Sequence, residues 1–202
     1  MGVFIVLEGG DASGKSTQAP LLVERLRSAG RADVVETFEP GATLPGAAIR
    51  ALLLDGDTAI DPTTEALLLA ADRAQQVVEV IRPALARGAD VVSDRYVPSS
   101  LAYQGVGRGL GVDDVDRLNR WATTGLEPDL VVVLDVDDAV AAARHIGPGD
   151  RLERAGDRFH AAVRDAYRRL AADRGWVVLD GNADVAAVAE RVWDVVRERL
   201  GV

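Results

Sequence analysis

The run Gly9-Gly10-Asp11-Ala12-Ser13-Gly14-Lys15-Ser16 follows directly on an apolar stretch, Val3 to Leu7, and opens a segment with helical spacing through Leu21, Leu22, Arg25 and Leu26. A strand, a glycine-bounded loop and a helix in that order aim successive backbone N–H groups and the positive helix end at one anion. Gly9 and Gly14 allow backbone angles and close approaches that a side chain would forbid. Lys15, the only lysine of the chain, can reach the β- and γ-phosphates of a nucleoside triphosphate, and the Ser16 hydroxyl can ligate magnesium. A glycine-rich turn that only caps a helix would use the same letters, but the buried strand before it and the helix after it favour a phosphate loop.

That loop needs a sheet behind it, and the rest of the chain supplies one. Four more short apolar runs, Asp33 to Thr37, Asp90 to Ser93, Leu130 to Leu134 and Trp176 to Leu179, are apolar nearly throughout, the mark of parallel strands covered on both faces. Helical spacing fills the intervals. The expected helices after the first run from about Thr64 to Arg87, with a bend at Pro83, then from Asp113 to Thr124, Asp137 to Arg144, Asp157 to Asp173 and Asp184 to Leu200. Strand and helix in alternation predict an α/β fold, an open doubly wound sheet of five parallel strands with helices on both faces. Its 202 residues suit one domain spanning 1–202. Ligands are expected at the carboxyl ends of the strands.

Composition narrows the chemistry. With no cysteine and only two histidines, His145 and His160, disulfides, thiolate metal sites and a His-based zinc centre are excluded, so any metal is held by oxygen. A formal net charge of −9 argues against general nucleic-acid binding, which needs a positive surface. The first eight residues carry no basic region and meet acidic and glycine residues too early for a signal peptide or a membrane span, so a cytoplasmic, soluble protein is expected.

Polar clusters stand where the sheet should present them. Asp94-Arg95-Tyr96 ends the third strand: an acidic side chain there can organise magnesium through water, and Arg95 offers a planar fork for phosphate oxygens, although a structural salt bridge would use the same pair. Ser99 to Gly105 is rich in neutral hydrogen-bonding groups and by composition is a loop. Phe38-Glu39-Pro40-Gly41-Ala42-Thr43 forms a rigid turn after the second strand, and Arg73 and Gln76 share a helix face that is either ligand-facing or solvated. Between Arg144 and Arg158, Gly147, Pro148 and Gly149 interrupt the helical pattern among Arg144, Arg151, Arg154 and Arg158, which fits a lid at about 144–156 or an exposed charged loop.

Taken together these blocks resemble the thymidylate kinase family of P-loop NTPases. The resemblance rests on Glu8 to Thr17, Glu39-Pro40-Gly41-Ala42-Thr43, Leu52-Leu53-Leu54-Asp55, Ala71 to Gln75, Asp94-Arg95-Tyr96, Ser99 to Gly105, Pro128-Asp129-Leu130 and Asp150-Arg151-Leu152-Glu153. It implies a three-layer P-loop fold with a small lid, a homodimer, and transfer of a phosphoryl group from ATP to dTMP with Mg2+, giving dTDP for dTTP biosynthesis. Gly9, Gly10, Asp11, Ala12, Ser13, Gly14, Lys15, Ser16 and Thr17 would bind ATP. Asp11, Phe38, Glu39, Pro40, Arg50, Leu69, Arg73, Arg95, Ser100, Tyr103 and Gln104 would line the dTMP site, with Asp11 on the sugar 3′-hydroxyl, Arg95 on the phosphate, Arg73 and Gln104 on thymine and Tyr103 on the deoxyribose face. Ser16 and Asp94 would serve the metal. The catalytic set would be Lys15, Asp94 and Arg95 with the lid residues Arg144 and Arg151, since the loop position that carries an arginine in some of the family is Ala12.

Two positions depart from the family pattern. Phe38 stands where an arginine usually helps to hold the monophosphate, which throws weight on Arg95 or recruits Arg50. Leu69 stands where a phenylalanine usually stacks on thymine, a loss of about 1 kcal/mol. A kinase for another nucleotide or a deoxynucleoside is the alternative these departures keep open. A nucleotide-dependent switch of the GTPase type lacks its Asn-Lys-x-Asp base-reading segment here.

Overall fold

The structure is a computed structural model that describes residues 2–54, 59–144 and 149–201. Five strands, β1 (Phe4–Glu8), β2 (Val34–Phe38), β3 (Asp90–Asp94), β4 (Leu130–Asp135) and β5 (Val177–Asp180), form one all-parallel sheet in the order β2-β3-β1-β4-β5. All five expected strands are present, and each runs to a residue beyond its apolar stretch. Glu8, Phe38, Asp94, Asp135 and Asp180 are still paired across the ladders. Four of these five are acidic, so the apolar pattern stops one residue short of the ladder; Phe38 and Asp94 line the cavity described below, and Glu8 is buried.

The side chains of β1 alternate between two cores. Phe4 and Val6 pack with Tyr96, Leu101, Tyr103 and Tyr167 on one side, while Ile5 and Leu7 pack with Leu22, Leu26, Val192 and Val196 on the other. The second core is made by α1 (Lys15–Ser28) and α9 (Val185–Leu200), whose N-cap Asp184 accepts from the Ala187 N–H at 2.8 Å. The first is made by α8 (Asp157–Arg174) and the helical segment after β3. Charged residues pin the amino-terminal edge: Arg31 forks onto Asp90 at 2.7 and 2.6 Å, and Asp129 accepts from the Phe4 N–H at 2.8 Å.

Three expectations are corrected. The helix expected from Thr64 to Arg87 is α3 (Pro62–Gln76), a π turn over Val77–Ile81 and α4 (Arg82–Ala86). A π turn precedes Pro83: the Arg82 N–H reaches back to the Val77 carbonyl just before the ring removes a donor. The turn after Glu39 leads into an unforeseen helix, α2 (Leu44–Leu54). The stretch from Ser99 to Gly105 is helical, α5 (Val97–Ser100) running into a π-helical segment over Leu101–Gly107. Its start is secured from outside the local sequence, since the buried Glu8 carboxylate accepts from the N–H groups of Tyr96 and Ser99 at 2.8 and 3.2 Å.

The helix after it is α6 (Val112–Ala122), and α7 (Asp138–Arg144) follows β4. Of the expected lid, Gly147 and Pro148 lie outside the described residues. Beyond them Glu153–Ala155 forms a single 3-10 turn.

Candidate active site

One cavity of about 770 Å³ runs along the carboxyl edge of the sheet, with the phosphate loop at one end and the turn after β2 at the other. At the loop, Gly9 (φ 134°) lies so close to its neighbours that a Cβ would come within 2.4 Å of the Leu134 carbonyl oxygen, so glycine is required there on both counts. Ala12 and Arg95 also take positive φ, 58° and 76°. Each such residue stores roughly 1–3 kcal/mol of backbone strain that its surroundings must hold in place.

Lys15 is buried, and its ammonium donates to the Gly9 and Gly10 carbonyls at 3.1 and 2.7 Å and to the Ser13 hydroxyl at 3.1 Å. Burial, with the Arg95 guanidinium nearby, lowers its pKa to about 8. Ser16 donates to Asp94 Oδ2 at 2.5 Å, while Asp94 Oδ1 is buried with no partner among the described residues.

Arg95 joins the two ends of the cavity. Its guanidinium donates to Asp11 Oδ1 at 2.5 Å, to the Gly9 carbonyl at 3.2 Å and to the Ser99 hydroxyl at 3.1 Å, and it lies 5.3 Å from the centroid of the Tyr103 ring. Burial works against the Asp11 carboxylate, but Arg95 and Lys15 outweigh it and hold the group below the usual range. Beneath this pair, Glu8 accepts from Ser99 and Tyr167 hydroxyls at 2.7 and 2.8 Å, and burial pushes its carboxyl up.

At the far end Arg73 is almost wholly buried. Nε donates to Glu39 Oε2 at 2.8 Å, Nη1 to Ser100 Oγ at 3.0 Å and to Asn119 Oδ1, and Nη2 to the Tyr96 carbonyl at 3.1 Å. Gln76 donates to Thr37 Oγ1 and to the Phe38 carbonyl, both at 2.8 Å, which fixes the turn after β2. Of the two readings of that helix face, ligand-facing or solvated, the solvated one fails, because both side chains are buried.

Phe38, Glu39, Pro40, Arg50, Leu69, Arg73, Ser100, Tyr103 and Gln104 line this cavity together with Asp11 and Arg95. Asp11 to Thr17, Asp94 and Arg144 also line it. Arg144 donates to the Gly181 and Ala183 carbonyls at 2.9 and 3.1 Å, beside the phosphate loop. Arg151 does not line it: it donates to the Leu53 carbonyl at 2.8 Å and pairs with Glu65 at 2.6 Å. Arg50 donates to the Pro40 carbonyl at 2.8 Å and lies 6.0 Å from the Phe38 ring centroid.

The family model described as thymidylate kinase matches residues 7–192, nearly the whole chain and every residue that lines this cavity. The chain belongs to the thymidylate kinase family. It is similar to proteins named thymidylate kinase from Halothermothrix orenii, 47% identical with 97% of each chain covered, and from Leifsonia xyli, 50% identical with 95% of this chain and 92% of the relative covered. A third, from Deinococcus radiodurans, is 45% identical over 98% of both chains.

Within this thymidylate kinase fold, sequence reasoning missed four residues that shape the site: Glu65, Arg108, Asn119 and Tyr167. All four act by packing against or bonding to residues distant in sequence, and only Glu65, in the first turn of α3, carried a local signal, one that reads equally well as helix capping.

Proposed function

We propose that the protein transfers the γ-phosphoryl group of ATP to dTMP, forming dTDP and ADP. The observation that carries this reading is that one cavity joins the phosphate loop, with Lys15, to Arg95, Arg73, Tyr103 and Gln104. In the step, a dTMP phosphate oxygen forms a bond to the γ-phosphorus while the bond from that phosphorus to the β–γ bridging oxygen breaks, and ADP leaves with the electron pair. The chain's part is to bring two anions together in line and to spread positive charge over the moving group.

In this reading Lys15 holds the β- and γ-phosphates and Arg95 holds the acceptor phosphate, pre-set by its bond to Asp11. Arg144 is the better placed of the two lid arginines for the transferred group, because it lies beside the loop while Arg151 is turned to Glu65. Glu39 and Ser100 orient Arg73 at the base, and the bulk of Tyr103 beside Arg95 crowds a ribose 2′-hydroxyl. The segment from Arg144 to Gly156 closes over the phosphates and keeps water from taking the phosphoryl group.

Ser16 and Asp94 would fit a magnesium ion: one hydroxyl and one carboxylate lie side by side, and Asp94 Oδ1 is buried with no partner among the described residues. Bound there, the ion would neutralise charge on the β- and γ-oxygens.

The reading also includes a homodimer through the helices flanking the sheet. Leu67 and Val78, on α3 and its π turn, and Trp121 on α6 are exposed, Trp121 by 81%, and apolar faces of that kind mark contact surfaces. Trp121→Glu should shift the protein to monomer in light scattering; a wild-type monomer would contradict the dimer. A cytoplasmic location goes with the nucleotides named, and among the described residues no helix is long and apolar enough to cross a membrane.

The direct check is 31P NMR of ATP, magnesium and dTMP with the protein. Equal amounts of ADP and dTDP are expected; ADP with inorganic phosphate instead would contradict phosphoryl transfer to the nucleotide.

A further inference from the structure

Glu65 lies wholly buried in the first turn of α3 and gathers three side chains from two separate parts of the chain. Gln104 Nε2 donates to its Oε1 at 2.9 Å, Arg108 donates through Nε and Nη2 at 3.1 Å each, and Arg151 of the lid donates to Oε2 at 2.6 Å. Burial pushes the Glu65 carboxyl up, but the hydrogen bonds from Arg108, Gln104 and Arg151 outweigh it and keep the group below the usual carboxylate range. An ionised carboxylate accepts and never donates.

That fact decides which way the Gln104 amide faces. A glutamine amide has one end that donates and one that accepts, and its orientation follows from its partners. Glu65 takes the NH2 end, so the carbonyl is turned the other way. Gln104 Oε1 is buried without a partner among the described residues, in a side chain that lines the cavity. Nearby, all three guanidinium nitrogens of Arg73 donate to protein acceptors. Gln104 therefore offers the base an acceptor that requires a donor opposite it.

We propose that Glu65 is a positioning residue for acceptor specificity: by fixing the Gln104 amide it makes the site require a pyrimidine with an N3–H, as thymine has, and reject cytosine, whose N3 is itself an acceptor. The inference rests on the dTMP reading and deepens it. A site with a fixed acceptor and a base with an acceptor at the same point leave two buried lone pairs opposed, which is the most effective form of rejection a small site has.

The test is the ratio of kcat/KM for dTMP to that for dCMP in wild type, Glu65→Gln and Glu65→Asp. Glutamine at 65 can donate as well as accept, so Gln104 is free to turn, and the ratio should fall about 10-fold or more. Aspartate remains acceptor-only and should keep the ratio within about 2-fold even if both rates drop. Loosening of the lid through Arg151 would lower both substrates alike, so an unchanged ratio in Glu65→Gln overturns the inference alone. A wild type without preference for dTMP over dCMP overturns the dTMP reading and the inference together. If Glu65→Gln does not fold, wild-type protein labelled with 13C-glutamine and bound to 15N-dTMP gives the answer: a scalar coupling through the hydrogen bond from thymine N3 to the Gln104 side-chain carbonyl is expected, and its absence overturns the proposal.

Discussion

Arg95 Nη2 donates to Asp11 Oδ1 at 2.5 Å, so the residue after the third strand is tied to the loop after the first. Arg95 takes a left-handed backbone conformation, φ 76°, and its main chain is fixed by its N–H donating to the Leu7 carbonyl at 3.0 Å and by the Ser93 hydroxyl donating to its carbonyl at 2.8 Å. The ion pair fixes the guanidinium where it lines the cavity, the place at which the proposed function has it meet the acceptor phosphate.

Arg95→Ala should lower kcat/KM by about 100-fold or more, the range found when one preorganised donor to developing charge is removed. Arg191, which pairs with Asp180 at 3.3 Å on an exposed face of α9, serves as the control. Its replacement by alanine should change kcat/KM by less than about 2-fold, since exposed ion pairs carry little. Steady-state kinetics of the two variants check this, and equal losses would contradict the site.

Lys15 gives a pH signature. Burial, then Arg95, lowers its pKa from 10.5 to about 8. The folded protein therefore gives up this proton sooner than the unfolded chain does, so the charged lysine costs stability in full below pH 8, and the cost fades as pH rises to 10.5. Lys15→Met has no such cost. Its stability relative to wild type should be most favourable below pH 8 and should decline from there to pH 10.5 in denaturant titrations. Wild-type affinity for ATP should weaken above pH 8 over the same window. A stability difference that does not change with pH would contradict the assigned shift.

Leu69 offers a gain-of-function test. It lines the cavity and is only 8% exposed. Leu69→Phe would return a stacking ring worth about 1 kcal/mol, so KM for dTMP should fall about 5-fold with kcat little changed. A rise in KM would mean that Leu69 does not face the base.

Much of this was legible in the chain. The phosphate loop and the five strands could be named because each depends on local pattern, and the eleven residues named by family resemblance, through short blocks such as Asp94-Arg95-Tyr96, all line the one cavity. Missed features depend on long-range partners. The helical segment from Val97 to Gly107 reads as a loop because its start is capped by Glu8, some 90 residues earlier, as the 2.8 Å bond to the Tyr96 N–H shows. Helix α2 went unseen because its apolar residues face outward at Leu44 and Leu52, 86% and 62% exposed, and its sequence has no clean periodicity. Arg151 shows the limit most clearly: a basic residue in a glycine-bearing segment suggests phosphate, and only the position of Glu65 reveals that its guanidinium is already engaged.

The most direct measurement of the central claim is a competition. Equal concentrations of dTMP, dCMP, UMP and AMP are supplied with limiting ATP and magnesium, and the diphosphates formed are separated and counted. dTDP is expected in excess over each other product by about 10-fold or more; a different diphosphate as the main product would contradict the assignment of dTMP as acceptor.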